Sequence, residues 1–218
     1  MLDLEFDRRF PGVVIGTDEA GRGPLAGPVV AGACILPEGY CPEGLDDSKK
    51  LTEKKREALY DEITANAVAW GVGMSSAAEI DEINILNASL QAMRRAIAAA
   101  GGDPDVILVD GNVDRGFDRE AHAIIGGDAK SPSIAAASII AKVTRDRLLV
   151  DMDAKWPEYG FAKHKGYPTK AHKLAVYEFG PCPEHRRSFL GFLEREGDRL
   201  AAELEKLRSA QNADGGNI

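Results

Sequence analysis

Apolar positions along the chain follow two periods, and the changes between them divide it into elements. VVIGTD (13–18) and GPVVAGACIL (27–36) are β-branched or alternating and are separated by a glycine-containing turn, which predicts two strands joined as a hairpin. DDSKKLTEKKREALYDEITANA then carries Leu51, Leu59 and Ile63 within a charged, helix-favouring run, with Asp47 and Ser48 as candidate N-caps. AVAWGVGM (67–74) returns to strand character. From Asn84 to Ala100 the apolar residues Leu86, Leu90, Met93 and Ile97 fall at helical spacing, and Gly101-Gly102 closes that helix. DVILVD (105–110) is a short continuous apolar run, as in a buried parallel strand. AHAIIGGD (121–128) repeats this pattern, and a helix begins at Ser131-Pro132, its alanines small enough to lie close on a sheet. A basic, turn-rich segment follows. The last helix, over 188–207, has Phe189, Leu193, Leu200, Leu204 and Leu207 on one face, and the polar tail 209–218 is expected to be disordered. Strands first paired and then alternating with helices predict an α/β fold: a mixed sheet flanked by helices over 1–187, with the helical extension 188–218 in the same folding unit.

Composition narrows the function classes. A chain of 218 residues, 44% hydrophobic, buries one substantial core without disulfides or structural metals. Cys34, Cys41 and Cys182 are odd in number and have no paired spacing, as expected of reduced cytosolic thiols. The start, MLDLEFDRRF, is acidic and mixed where a secretory signal is basic and then apolar, and no apolar run approaches the ~20 residues that span a bilayer. A soluble, monomeric, cytoplasmic protein is expected. The net charge of −8 argues against a polyanionic partner unless charge is segregated. It is segregated: residues 142–187 hold ten Lys/Arg against six Asp/Glu, a net +4, so the remainder carries −12.

Asp18, Glu19, Asp110 and Asp128 all lie at or just past predicted strand ends, where α/β sheets place their ligand sites. Two like charges about 4 Å apart repel by roughly 4 kcal/mol at an effective dielectric of 20, so convergence of these acids needs protons or a cation. Oxygen-only ligands suit a hard ion, Mg²⁺ or Mn²⁺, rather than zinc. Adjacent Asp18 and Glu19 cannot share one face of a regular strand, so Glu19 is expected to reach the site from beyond the strand end. His164, His172 and His185 match no metal-binding helix spacing and are read as surface or phosphate-contacting groups. Gly21, Gly23 and Ala26 fit the dinucleotide pattern G-x-G-x-x-G/A. Pro24 inside that pattern, a strand where a helix is required and two acids beside the would-be pyrophosphate speak against an oxidoreductase.

With these motifs assembled, the chain resembles the type 2 ribonuclease H family, ribonuclease HII, over nearly all its length. The resemblance rests on DEAGRGPLAGPVVAG (18–32), DDSKKL (46–51), NILNAS (84–89), VDGN (109–112), GGDAKSPSIAAASIIAKVTRD (126–146) and YGFAKHKGYPT (159–169). One departure is Gly126, where the family often has lysine before Gly-Asp; the lack of a long N-terminal extension and an aspartate as fourth acid favour HII over HIII. The resemblance implies a ribonuclease H-like fold and a four-carboxylate active site at Asp18, Glu19, Asp110 and Asp128, binding two Mg²⁺ or Mn²⁺ ions. It implies hydrolysis of the RNA strand of RNA/DNA hybrids and incision 5′ of single ribonucleotides in duplex DNA, leaving 3′-hydroxyl and 5′-phosphate ends, in ribonucleotide removal. It further implies that the turn Gly21-Arg22-Gly23 contacts the ribonucleotide and that Tyr167 stacks on the following sugar. Lys49, Lys50, Lys142, Lys165, Arg186 and Arg187 are the candidate phosphate contacts. A non-catalytic nucleic-acid module would leave the four acids unexplained, and a resolvase or transposase with the same acids would cut DNA lacking any ribonucleotide.

Overall fold

A computed structural model describes residues 2–214, with side chains to residue 209. Residues up to 22 together with 28–147 form one compact unit; residues 23–27 together with those from 148 onward form a second. The first unit is built on a five-stranded mixed sheet in the order β3-β2-β1-β4-β5. β1 (Val14–Ala20) and β2 (Val29–Ile35) are the predicted antiparallel hairpin, and β3 (Ala69–Ser75) pairs antiparallel on its outer edge. β4 (Val106–Asp110) lies parallel to β1, and β5 (Glu120–Ile124) lies parallel to β4.

Glycines bring the helices into backbone contact with this sheet, and alternation of side chains assigns the two faces. A Cβ on Gly71 would lie 2.3 Å from the amide nitrogen of Ala100, and one on Gly73 would lie 2.2 Å from the carbonyl of Ala92, so α2 (Ala77–Ala100) rests directly on β3. On the opposite face, a Cβ on Gly16 would lie 2.3 Å from the nitrogen of Ile134, and one on Gly32 would lie 2.3 Å from the carbonyl of Ala137. Both neighbours belong to α3 (Pro132–Lys155), whose alanines serve the close approach expected of them. Leu59 and Ile63 of α1 (Glu53–Asn66) pack into the same core as Ala135, Ile139 and Ile140. Gly32→Ala is therefore expected to push α3 away from β2 and to cost about 1–3 kcal/mol, read as a lowered chemical-denaturation midpoint; an unchanged midpoint would contradict the close contact.

Several boundaries differ from the sequence reading. α1 begins at Glu53 under a Thr52 cap, whereas Asp47 caps a short 3-10 turn over Ser48–Lys50. α2 starts seven residues earlier than Asn84, at Ala77, behind a Ser76/Glu79 capping box. Asn84 itself breaks the helical backbone (φ 65°, ψ 163°), and its Oδ1 accepts from the Leu86 and Asn87 amides, so that it restarts the second half. The basic segment contains α4 (Phe161–His164) and α5 (Lys170–Phe179). α6 runs Phe192–Asp214, beyond the predicted end at 207, and the rest of the tail, 215–218, lies outside the described residues. The second unit has its own core, including Leu149, Tyr159, Phe161, Leu174, Phe192 and Leu200.

Candidate active site

Asp18 occupies the α3 face of β1, the same face as Gly16. The parallel pairing of β1 with β4 ends at Thr17 and Val109, which leaves Asp18 and Asp110 as the next residues on adjacent strands. Asp110 Oδ1 then accepts a hydrogen bond of 2.7 Å from the amide of Gly127, docking the 3-10 turn Gly127–Ala129 that carries Asp128. Gly126 enters that turn in the left-handed region, which glycine adopts without strain. Ligand oxygens of Asp18, Asp110 and Asp128 consequently lie within 4.8 Å of one another, the group expected from their strand-end positions.

Glu19 is not in that group. β1 continues to Ala20, so Glu19 sits within the strand on its opposite side, and Arg22 Nη1 donates to its Oε1 at 3.1 Å. Burial is the main force raising the Glu19 carboxyl above its ordinary value, partly opposed by Arg22 and aided by Asp110. Asp18 is only 4% exposed. Burial first, then repulsion from Glu19 and Asp110, pushes it well above the usual carboxylate range, although it accepts from the Glu19 amide at 2.7 Å and from the Ser138 hydroxyl. Asp128 is raised by burial and by Asp110, with Lys49 opposing. The site thus concentrates negative charge that its own groups do not fully neutralise. This all-oxygen donor set fits a hard divalent cation.

The remaining sequence candidates fall in several environments. Lys49 Nζ lies 3.3 Å from Asp128 Oδ2, within the first unit. Lys50 is exposed beside Asp46, and Lys142 Nζ bonds Asp146 Oδ1 at 2.7 Å along α3. In the second unit Arg187 is exposed, Lys165 Nζ donates to the carbonyl of Ala162, and Tyr167 is 46% exposed. Gly23 abuts that ring: a Cβ there would lie 3.6 Å from Tyr167 Cε1. Arg186 is not a surface cation but wholly buried, its guanidinium donating to the carbonyls of Pro24 and Gly27. His172 and His185 are likewise buried, not surface or phosphate-contacting groups. They bond each other at 3.0 Å, and the His164 ring stacks on His172. Sequence reasoning also missed Arg145, 1% exposed, whose Nε donates to the Pro28 carbonyl and lies where a Gly21 Cβ would be. The glycine at 21 was the available signal, since close backbone approach requires it.

The family model for ribonuclease HII matches residues 15–191. A ribonuclease HII from Polynucleobacter necessarius is 56% identical over 180 residues, covering 81% of this chain and 91% of that protein. Among solved structures, the ribonuclease H2 of Pyrococcus horikoshii is 31% identical with a TM-score of 0.69, covering 86% of this chain and 98% of that one. The RNase HII of Archaeoglobus fulgidus, solved in a PCNA:RNase HII complex, is 26% identical with a TM-score of 0.65, covering 80% of this chain and 94% of that one. No helix among the described residues is long and apolar enough to cross a membrane.

Proposed function

The chain belongs to the ribonuclease HII family and is an endonuclease of the ribonuclease H type; we propose that it cleaves the RNA strand of RNA/DNA hybrids and incises duplex DNA on the 5′ side of a single embedded ribonucleotide. The observation that carries this reading is the convergence of Asp18, Asp110 and Asp128 from two adjacent strands and a docked turn. Two divalent ions, Mg²⁺ or Mn²⁺, would supply there Lewis-acid charge for activating a water and stabilising a leaving 3′ oxygen. Asp18, Asp110 and Asp128 would hold them, with Glu19, bonded to Arg22, as the fourth acid that would have to turn toward the ions from the other side of the strand. Lys49 offsets part of the charge on Asp128 and, on an exposed turn, is free to serve a substrate phosphate when cations take over that task.

Discrimination falls to the 2′-hydroxyl, the group that separates RNA from DNA. Lacking a Cβ, Gly23 lets the backbone of the turn approach a sugar closely beside Tyr167, while Gly21 makes room for Arg145 behind the turn. Tyr167, exposed beside Gly23, offers an aromatic face to the adjoining deoxyribose. Lys50, Lys142, Lys165 and Arg187 are candidate contacts to the phosphate backbone. Such incision fits the removal of ribonucleotides from DNA.

The decisive assay is cleavage of an end-labelled duplex holding one ribonucleotide, with product ends mapped. A single cut 5′ of the ribonucleotide, dependent on Mg²⁺ or Mn²⁺ and leaving 3′-hydroxyl and 5′-phosphate ends, is expected. Affinity for the duplex should fall steeply with salt as the lysines release counterions. Equal cutting of an all-DNA duplex would overturn the reading.

A further inference from the structure

Arg186 is fully buried, a costly place for a charge unless its donors are satisfied. Nε donates to the Gly27 carbonyl at 3.0 Å and Nη1 to the Pro24 carbonyl at 2.8 Å, gripping both ends of the segment 23–27. The same segment is held by its backbone: Arg186 N to Leu25 O, Gly27 N to Glu184 O and Leu25 N to Gly166 O, all between 2.8 and 2.9 Å. Gly166 directly precedes Tyr167, so the strap that fixes Leu25 also fixes the entry to the tyrosine.

The next link is His185, bridged to Ala26 and followed in sequence by Arg186. Backbone groups assign the proton positions in the histidine pair. The Cys182 amide can only donate, so His185 Nδ1, 3.0 Å away, accepts. The Tyr167 carbonyl can only accept, so His172 Nδ1, 2.9 Å away, donates. His185 Nε2 then carries the proton shared with His172 Nε2 at 3.0 Å, giving two neutral rings in fixed tautomers. A continuous hydrogen-bonded path thus runs from Cys182 through both histidines to the backbone of Tyr167. Arg186, beside His185, holds the segment that begins with Gly23.

We propose that Arg186, His185 and His172 form a buried brace that sets Gly23 and Tyr167 in one register, making these three the positioning residues for recognition of a single ribonucleotide. The inference rests on the proposed function, in which the glycine turn and Tyr167 read the sugar. Its logic is preorganisation: side chains held by a rigid support lose no time or entropy in finding the nucleotide, and small misplacement is costly in rate.

The test compares kcat/KM on a duplex with one ribonucleotide against kcat/KM on a continuous RNA/DNA hybrid, for the full chain and three variants. In His172→Asn the amide nitrogen replaces Nδ1 and keeps the bond to the Tyr167 carbonyl; His172→Leu has similar size and loses it. Arg186→Lys keeps the charge but cannot span both carbonyls. The preference ratio should fall about tenfold in His172→Leu and Arg186→Lys, mostly through kcat on the ribonucleotide duplex, and stay within about twofold of wild type in His172→Asn. An unchanged ratio in a folded His172→Leu or Arg186→Lys overturns the proposal, as does an equal loss by His172→Asn and His172→Leu on both substrates, the signature of a purely structural role. If thermal melts find neither His172→Leu nor Arg186→Lys folded, the brace only stabilises and the proposal fails. A wild-type enzyme without preference overturns the proposed function and this inference together, whereas failure of the brace alone leaves the wild-type preference intact.

Discussion

Asp18→Asn is expected to abolish cleavage of an RNA/DNA hybrid while raising the melting temperature of the metal-free protein. The two effects have one cause. Asp18 is nearly sealed from water on the α3 face of β1, and burial, Glu19 and Asp110 all disfavour its charge. An amide of the same shape still accepts from the Glu19 amide and removes the repulsion. Relief of this kind is worth about 1–2 kcal/mol, or roughly 2–8 °C for a chain of this size. The same substitution removes the most buried anionic ligand of the acidic group, and turnover should fall by about 10³-fold or more. Saturating Mn²⁺ should reverse the order of stability, because a ligand that binds only the folded state stabilises the better binder more. Melting curves in chelator and in Mn²⁺, beside a hybrid-cleavage assay, check all three. Turnover within tenfold of wild type would remove Asp18 from the site.

Much of this site is legible in the sequence because its acids follow apolar strands. The run DVILVD ends at Asp110, and the strand ends at the same residue. At β1 the apolar run stops at Asp18 while strand pairing continues through Glu19 to Ala20, paired with Val30. Hydrophobicity reports burial, whereas backbone pairing persists across charged residues, so the expected end was early and Glu19 falls inside the strand. Glycines carried a further signal: Gly16 and Gly32 mark where α3 touches the sheet, and that contact places Asp18 in the interior. Helix starts were harder, because Asp47, Ser48 and Thr52 all suit a cap and only the intervening 3-10 turn decides among them.

Arg186, His172 and His185 were not legible as interior groups. A charged or polar residue in a basic segment reads as solvated, and the partners that make burial tolerable lie far away in sequence. The carbonyls that satisfy Arg186 belong to Pro24 and Gly27, about 160 residues upstream. α5 escaped notice for a related reason: its buried positions include His172, a polar residue whose partners are the Tyr167 carbonyl and His185.

The buried histidine pair should make the metal-free protein lose stability on mild acidification, and the sign distinguishes it from the carboxylates. Burial is the main force that lowers both His172 and His185 from 6.5 to about 4, with mutual repulsion adding to it at His185. Above pH 6.5 the rings are neutral folded or unfolded and contribute no pH dependence. As pH falls from 6.5 to 4 the unfolded chain takes up protons that the folded chain refuses, and stability declines by about 1.4 kcal/mol per pH unit for each ring before levelling off below 4. Across the window the loss approaches about 3 kcal/mol for each ring. Asp18 acts in the opposite direction: its folded value lies above the unfolded one, so the folded chain protonates first and gains stability as the pH falls through that value. The two trends overlap in a simple acid titration of the wild type. Comparing the wild type with His172→Asn separates them, because the carboxylate contribution is common to both and cancels. Denaturant midpoints between pH 7 and pH 4 should fall less steeply in the variant, by about one ring's share of the slope. Parallel curves would mean that His172 is not held neutral in the folded state, contrary to the tautomers assigned by Tyr167 and Cys182.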